Sequence, residues 1–450
     1  MNRNEIWTRT IESRQNLKQR DQSLRKSGPD RRIIKMKKPN ISRYTVIIAL
    51  LMIVGSFAAA QKPVKDLKPT VILISIDGFR YDYFEKFGPK TLNKLARDGV
   101  RAKWMVPSFP TKTFPNHYTV ATGLYPEHHG IIENNIWDFG VTFRLNNREE
   151  VQNSRWWLGE PIWVTAEKQN QRAGAFFFPG SEAEIAGRRP TFWKQYDGKI
   201  TNEERVDTIL SWLDLPPGER PTIYMLYFSD VDDAGHGFGP DSVENKDAVM
   251  KVDANIKRLM DGLKARRIDK KVNVIITSDH GMAAVDQRNA VVMDDYLDGS
   301  KTERVLTTGE IYQIFPKAGE EDSIIDKLKF IEHAVCWRKN EIPERLHYRD
   351  SARIAPIVCS ADEGWFMTSR ERYETQKKRS DFGRTKGAHG YDNKYESMRA
   401  IFVGHGKAFR KRRTVEAFEN IHVYELMCKI LGLTPAKNDG DLKRVKGMLR

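Results

Sequence analysis

The sequence predicts an α/β fold with a mainly parallel central sheet flanked by helices, and three stretches carry that prediction. Thr70-Val-Ile-Leu-Ile-Ser-Ile-Asp77, Thr222-Ile-Tyr-Met-Leu-Tyr-Phe-Ser229 and Val272-Asn-Val-Ile-Ile-Thr-Ser278 are near-continuous apolar runs with no polar alternation. Strands covered by helices on both faces read this way. Amphipathic stretches separate them, the longest from about residue 241 to 266. Each run also ends in acid: Asp77, the Asp230/Asp232/Asp233 cluster, and Asp279. Ligands of open α/β sheets bind beyond the carboxyl ends of the strands, so these acids are expected to share one crevice.

The other elements follow in order. Residues 61–68 form a short polar linker. Residues 89–97 repeat at helical spacing, and 100–106 read as the next strand. Thr113 lies two residues before Pro115, which is expected to push Phe114 out of helical space and to open a helix just behind the Thr113 hydroxyl. Residues 131–135 read as a loop, 161–169 as a helix with proline at its first position, and 173–178 as a short strand. The glycine-rich run Gly235-His-Gly-Phe-Gly239 lacks the lysine and glycine order of a phosphate loop, and is expected to fold tightly around His236. Residues 305–382 are less periodic, with several short strand candidates, and read as a peripheral part of the same domain. No repeat, low-complexity segment or second domain is apparent.

The net charge of +15 over 450 residues raises a nucleic-acid or membrane-surface partner until its location is considered. Residues 1–43 hold 13 Lys or Arg against 4 Asp or Glu, which leaves a net of only +6 for the rest. The basicity belongs to the tail, and no nucleic-acid partner is expected. Residues 44–60 are apolar and uncharged, long enough to cross a bilayer as a helix. With Lys35, Lys37, Lys38 and Arg43 before them, the positive-inside rule predicts a basic cytosolic tail, a type II anchor and everything after residue 60 outside the cytosol. The alternative is a secreted chain cleaved after Ala58-Ala-Ala60, although a 43-residue leader is long for a signal peptide. The one N-x-Ser/Thr sequon, at Asn40, falls on the cytosolic side of that arrangement. Cys336, Cys359 and Cys428 allow at most one disulfide and leave the pairing open.

Histidines accompany the acids: His236 four residues after Asp232, His280 beside Asp279, and His389 in Gly387-Ala-His-Gly390. Carboxylates with imidazoles and no thiolate suit catalytic zinc, with other divalent ions also accommodated. Six such ligands exceed what one open zinc holds, so two ions are expected. A two-metal centre can activate a nucleophile for in-line phosphoryl displacement, and the Thr113 hydroxyl at a helix N-terminus is the candidate.

Pro110-Thr-Lys-Thr-Phe-Pro-Asn-His-Tyr118, Thr122-Gly-Leu-Tyr-Pro126, Gly159-Glu-Pro-Ile-Trp-Val-Thr165, Ser278-Asp-His-Gly-Met282 and His389-Gly-Tyr-Asp-Asn393 resemble the ecto-nucleotide pyrophosphatase/phosphodiesterase family of the alkaline phosphatase superfamily. The resemblance runs from about residue 69 to 435 and implies an alkaline phosphatase-like α/β fold and a catalytic domain over 69–450. It implies that Thr113 is the nucleophile and takes the nucleotidyl group covalently. It further implies one zinc at Asp77, Thr113, Asp279 and His280 and a second at Asp232, His236 and His389, selecting Asp232 over Asp230. By the same resemblance Asn134 binds the phosphoryl oxygen, and Phe114 and Tyr196 sandwich a nucleobase. The implied substrate is a nucleotide or other small phosphodiester, for example a nucleoside triphosphate cleaved to the 5′-monophosphate and pyrophosphate. A choline or lysophospholipid phosphodiester is the alternative within the family, and a catalytically silent ectodomain the alternative outside enzymology. Val231, Phe178 and Asn135 stand where members carry proline, tryptophan and, in some nucleotide-preferring members, lysine. The segment around 178–193, missing from the lysophospholipase D branch, is present and favours nucleotides.

Overall fold

The three apolar runs are adjacent strands at the centre of one sheet. Val71–Ile76 pairs in parallel with Ile223–Phe228 on one side and Asn273–Thr277 on the other. The computed structural model describes residues 63–450, so the tail and the 44–60 anchor segment lie outside the described residues. Among the described residues no helix is long and apolar enough to cross a membrane. The full sheet has eight strands, in the order Arg413–Val415, Val100–Ala102, Phe402–His405, Asn273–Thr277, Val71–Ile76, Ile223–Phe228, Ala173–Phe176, Phe192–Lys194. Only Phe402–His405 runs antiparallel to its neighbours.

Alternate residues of the central strands enter two apolar layers. Val71, Leu73, Met225 and Ile275 pack with the helices Thr113–Thr122, Ile162–Lys168 and His422–Leu431. Ile72, Ile74, Leu226 and Ile276 pack with Lys90–Asp98, Asn202–Leu213 and Val243–Ala265. Burial on both faces explains why these strands carry no polar alternation. A third apolar cluster lies under the peripheral four-stranded antiparallel sheet, ordered Thr302–Thr307, Ile311–Pro316, Ile357–Ala361, Ala334–Arg338.

Three local expectations are corrected. Residues 100–106 are not one strand: Val100–Ala102 joins the central sheet, whereas Met105–Val106 pairs with Phe418–Glu419. Phe114 is helical, because the helix begins at Thr113 with Lys112 as its N-cap. Pro115 then falls in the first turn, where the missing N–H costs no intrahelical bond. The glycine-rich segment forms the helix Asp230–Phe238 rather than a loop. Its backbone is approached closely by Gly387, where a Cβ would stand 2.3 Å from the Gly235 carbonyl oxygen, so that residue 387 is required to be glycine.

Cys336 and Cys359 face each other across the antiparallel pair of the peripheral sheet and are disulfide-bonded. Cys428 is buried, its thiol pushed up to about 12 by burial. Closing a loop between residues 23 apart is expected to stabilise the domain by about 3 kcal/mol. A Cys336→Ala/Cys359→Ala variant should therefore show a matching fall in unfolding free energy by chemical denaturation; an unchanged midpoint would remove the bond from the stability of this domain.

Candidate active site

The strand register aligns the ends that deliver the acids. Ile76 lies opposite Phe228, and Ser75 opposite Thr277, so Asp77, Asp279 and the first turn of the Asp230–Phe238 helix emerge side by side. Asp77, Asp279 and His280 bring one ligand atom each within 4.8 Å of one another, and so do Asp232, His236 and His389. The two groups are joined by the His280 and His389 rings, stacked with centroids 3.5 Å apart. Thr113 Oγ1 stands 3.3 Å from His280 Nε2.

The ring nitrogens show what the cluster is built to hold. Nδ1 of His236 faces the Gly387 carbonyl at 2.9 Å, Nδ1 of His280 the Gly281 carbonyl at 2.8 Å, and Nδ1 of His389 the Thr111 carbonyl at 2.9 Å. A carbonyl only accepts, so each neutral ring carries its proton on Nδ1 and presents the Nε2 lone pair to the cluster. Facing those lone pairs are Asp77 Oδ1, Asp232 Oδ1 and Asp279 Oδ2, which are buried and accept no hydrogen bond. His280 Nε2 is 3.0 Å from Asp279 Oδ2 and 3.4 Å from Asp77 Oδ1; His236 and His389 Nε2 are 3.4 and 3.6 Å from Asp232 Oδ1. Acceptors directed at acceptors are satisfied by cations, so this donor set fits divalent metal ions.

The electrostatics differ from group to group: burial opposes the charged His280 imidazole, but Asp279 and then Asp232 outweigh it and raise its pKa. Burial, then the Asp279 and Asp232 charges, push the Asp77 carboxyl well above the usual range. Burial likewise raises Asp232, although His236 and His280 oppose it. Asp279 differs: burial acts against its charge, but His280 and His117 outweigh it and hold the carboxyl well below the usual range. Burial, reinforced by His280, Lys112 and His236, keeps the His389 imidazole neutral, as a ligand must be.

The remaining candidates surround this centre. Asn134 is buried, and its Oδ1 accepts from the Phe114 N–H at 3.0 Å, which fixes the side chain with its NH2 end as the donor. Phe114 is half-buried, its ring 5.8 Å from Phe143 and 6.0 Å from Trp157. Tyr196 is 38% exposed, packed at 5.1 Å on Phe177 and 6.4 Å from Tyr227. Asp230 turns away to Lys251 and Asn202, at 2.6 and 2.7 Å. Phe178 is buried beside His117, and Val231 belongs to the apolar layer under the Asp230–Phe238 helix.

Sequence reasoning did not single out Tyr227, His117 or Lys112. Tyr227 donates its hydroxyl to Asp77 Oδ2 at 2.5 Å, satisfying the oxygen that does not face the cluster. Its signal was present, since it lies one residue before the carboxyl end of the apolar strand Ile223–Phe228. His117 lies one helical turn after Thr113, with Nδ1 2.8 Å from the Thr113 carbonyl and 3.3 Å from Asp279 Oδ2. The i, i+4 spacing from the hydroxyl was the available signal.

The family model for type I phosphodiesterase/nucleotide pyrophosphatase matches residues 71–392, which include every acid and histidine of the two groups. The chain belongs to this family. The type I phosphodiesterase match extends to curated relatives: it is 39% identical over 399 residues to a venom phosphodiesterase of Crotalus durissus collilineatus, covering 86% of this chain and 47% of that protein. It is also 39% identical over 389 residues to human ectonucleotide pyrophosphatase/phosphodiesterase family member 1, covering 83% and 41%. The chain thus spans about half the length of the curated relatives it matches. Among solved structures, murine ectonucleotide pyrophosphatase/phosphodiesterase 5 aligns with a TM-score of 0.79 at 34% identity, covering 85% of this chain and 100% of that one. An inactive threonine-to-alanine form of that murine protein, in complex with AMP, aligns equally well, with a TM-score of 0.79.

Proposed function

We propose that this chain hydrolyses nucleotide phosphodiester and pyrophosphate bonds, releasing a nucleoside 5′-monophosphate, through a covalent intermediate on Thr113. The observation that carries the reading is the set of buried carboxylate oxygens and imidazole lone pairs directed at one another beside the Thr113 hydroxyl. Family membership and the AMP complex of the inactive murine neighbour support it.

Asp77, Asp279 and His280, with Thr113, would hold one divalent ion, and Asp232, His236 and His389 the other, zinc being the ion their donor types suit. Two such ions supply Lewis-acid activation of a hydroxyl and neutralise charge on the phosphate oxygens. Thr113 Oγ1 then attacks phosphorus, forming the Oγ1–P bond as the bond to the leaving oxygen breaks. The NH2 end of Asn134 and the Thr113 N–H at the start of its helix bind the non-bridging oxygen where charge develops. Water attacks the nucleotidyl threonine, breaks the Oγ1–P bond and frees the monophosphate. Phe114 and Tyr196 provide the aromatic faces for the base.

The basic and apolar order of residues 1–60 supports a catalytic part outside the cytosol, tethered or released. The Cys336–Cys359 bond fits such an oxidising compartment.

The test is side-by-side hydrolysis of ATP and lysophosphatidylcholine by the full chain, with and without a chelator, following AMP and choline. Chelator-sensitive AMP release is expected; choline release alone would transfer the substrate to lipids, and neither product would overturn the reading. Tyr196→Ala is expected to raise KM for ATP by about 10-fold, since base stacking is worth about 1–3 kcal/mol, and to leave a base-free diester unaffected. Equal losses on both substrates would remove the stacking role.

A further inference from the structure

We propose that the turn at residues 308–310 of the peripheral sheet is a positioning device that clamps, from behind, the two loops presenting Thr113 and Asn134. The proposal rests on the functional reading above, and its geometry stands independently of it. Lys112 immediately precedes Thr113 and is the N-cap of its helix, with a side chain only 5% exposed. Its Nζ donates to the Glu310 carboxylate and, at 2.7 Å, to the backbone carbonyl of His389. One ammonium therefore ties the start of the nucleophile's helix to the loop of a metal-ligand candidate and to the peripheral turn.

The same turn reaches the second loop. Glu133 immediately precedes Asn134 and is buried. Its Oε1 accepts from the Thr308 hydroxyl at 2.9 Å and its Oε2 from the Asn135 N–H at 2.9 Å. Thr308 and Glu310, two residues apart, thus each hold the neighbour of a residue placed in the reaction. Gly309 between them has φ +98°, a conformation glycine adopts without penalty, and its carbonyl accepts from Met367 N–H at 2.7 Å, anchoring the turn.

Two arguments separate positioning from simpler roles. A lysine beside a phosphate-handling centre invites assignment to the substrate, but this ammonium is buried on two protein acceptors. Room has been left for it there: a Cβ on Gly390 would lie 2.2 Å from Lys112 Cε. As a stability device a buried ion pair is poor, because desolvating both charges offsets their attraction. What the pair does achieve is fixed geometry, and misplacement of reacting groups by about 1 Å can cost on the order of 100-fold in rate.

The test compares Lys112→Met/Glu310→Gln, which removes both charges and strands neither, with Thr308→Val alone. Each is measured for kcat and KM with ATP, for zinc retained against a competing chelator, and for thermal unfolding. The double variant should lose about 10- to 100-fold in kcat at unchanged KM and release zinc more readily, because the His389 loop has lost its anchor. Thr308→Val should lower kcat by about 10-fold with KM and zinc retention unchanged, because its side of the clamp leads to Asn134 and not to a ligand. Wild-type kcat and zinc retention in a folded double variant would reduce the turn to a structural strut and overturn the proposal. Should the double variant fail to fold, the kcat-only loss of Thr308→Val decides, and its absence overturns the proposal. If the wild-type chain itself releases no AMP, the functional reading fails, and the zinc competition still tests the clamp.

Discussion

Replacing Thr113 by alanine is expected to lower turnover by on the order of 10⁴-fold or more while leaving the domain folded, because removal of a covalent nucleophile abolishes the pathway rather than weakening one contact. The hydroxyl has no structural duty to lose. Lys112, not Thr113, is the N-cap, no side-chain capping bond is present, and the neighbour of Thr113 Oγ1 is the Nε2 of His280 at 3.3 Å. Unfolding temperature should stay close to wild type, as for a substitution that opens no cavity and strands no buried partner. Zinc binding by Asp77, Asp279 and His280 should persist, since the three side chains remain together without Thr113. The intermediate offers a second readout: labelled AMP should be trapped on acid-quenched wild-type enzyme and not on Thr113→Ala. Turnover retained within 10-fold of wild type would remove Thr113 from the reaction and leave water as the attacking group.

The sheet centre and the acids were legible in the sequence for one physical reason. Parallel strands buried on both faces must be continuously apolar, so the acids after residues 76, 228 and 277 stood out against their runs. Register then did the rest, because Ile76 and Phe228 end level. Asp230 and Asp232 could not be told apart by spacing alone, since only packing sends the former to Lys251 and the latter into the cluster. The Asp230–Phe238 helix was illegible because its glycines oppose helix propensity, and the backbone packed against Gly235 is that of Gly387, 152 residues away. The strand break after Ala102 was hidden likewise, as Met105–Val106 is strand only by pairing with Phe418–Glu419. Lys112 and Glu310 lie 198 residues apart, and nothing in either local sequence announces the other.

Asp232→Asn is expected to change function and stability in opposite directions. Asparagine keeps the volume but removes the charge that balances a cation at the Asp232, His236 and His389 group. Metal content should fall from about two ions per chain to about one, and turnover by about 10³-fold, corresponding to several kcal/mol of lost transition-state stabilisation. In metal-free protein the sign reverses. Burial raises the Asp232 carboxyl above its ordinary value, so the folded state disfavours the charged form. A raised carboxyl destabilises the fold at pH values above the ordinary carboxylate range and ceases to do so as pH falls through it. Asp232→Asn removes that cost, and the chelated variant should unfold at a higher temperature than chelated wild type at neutral pH, the difference shrinking under acid. Metal content measured beside the two unfolding curves decides the matter: unchanged metal content would take Asp232 out of the ligand set. A lower unfolding temperature in chelator would show that its carboxylate is held by the fold rather than kept for a cation.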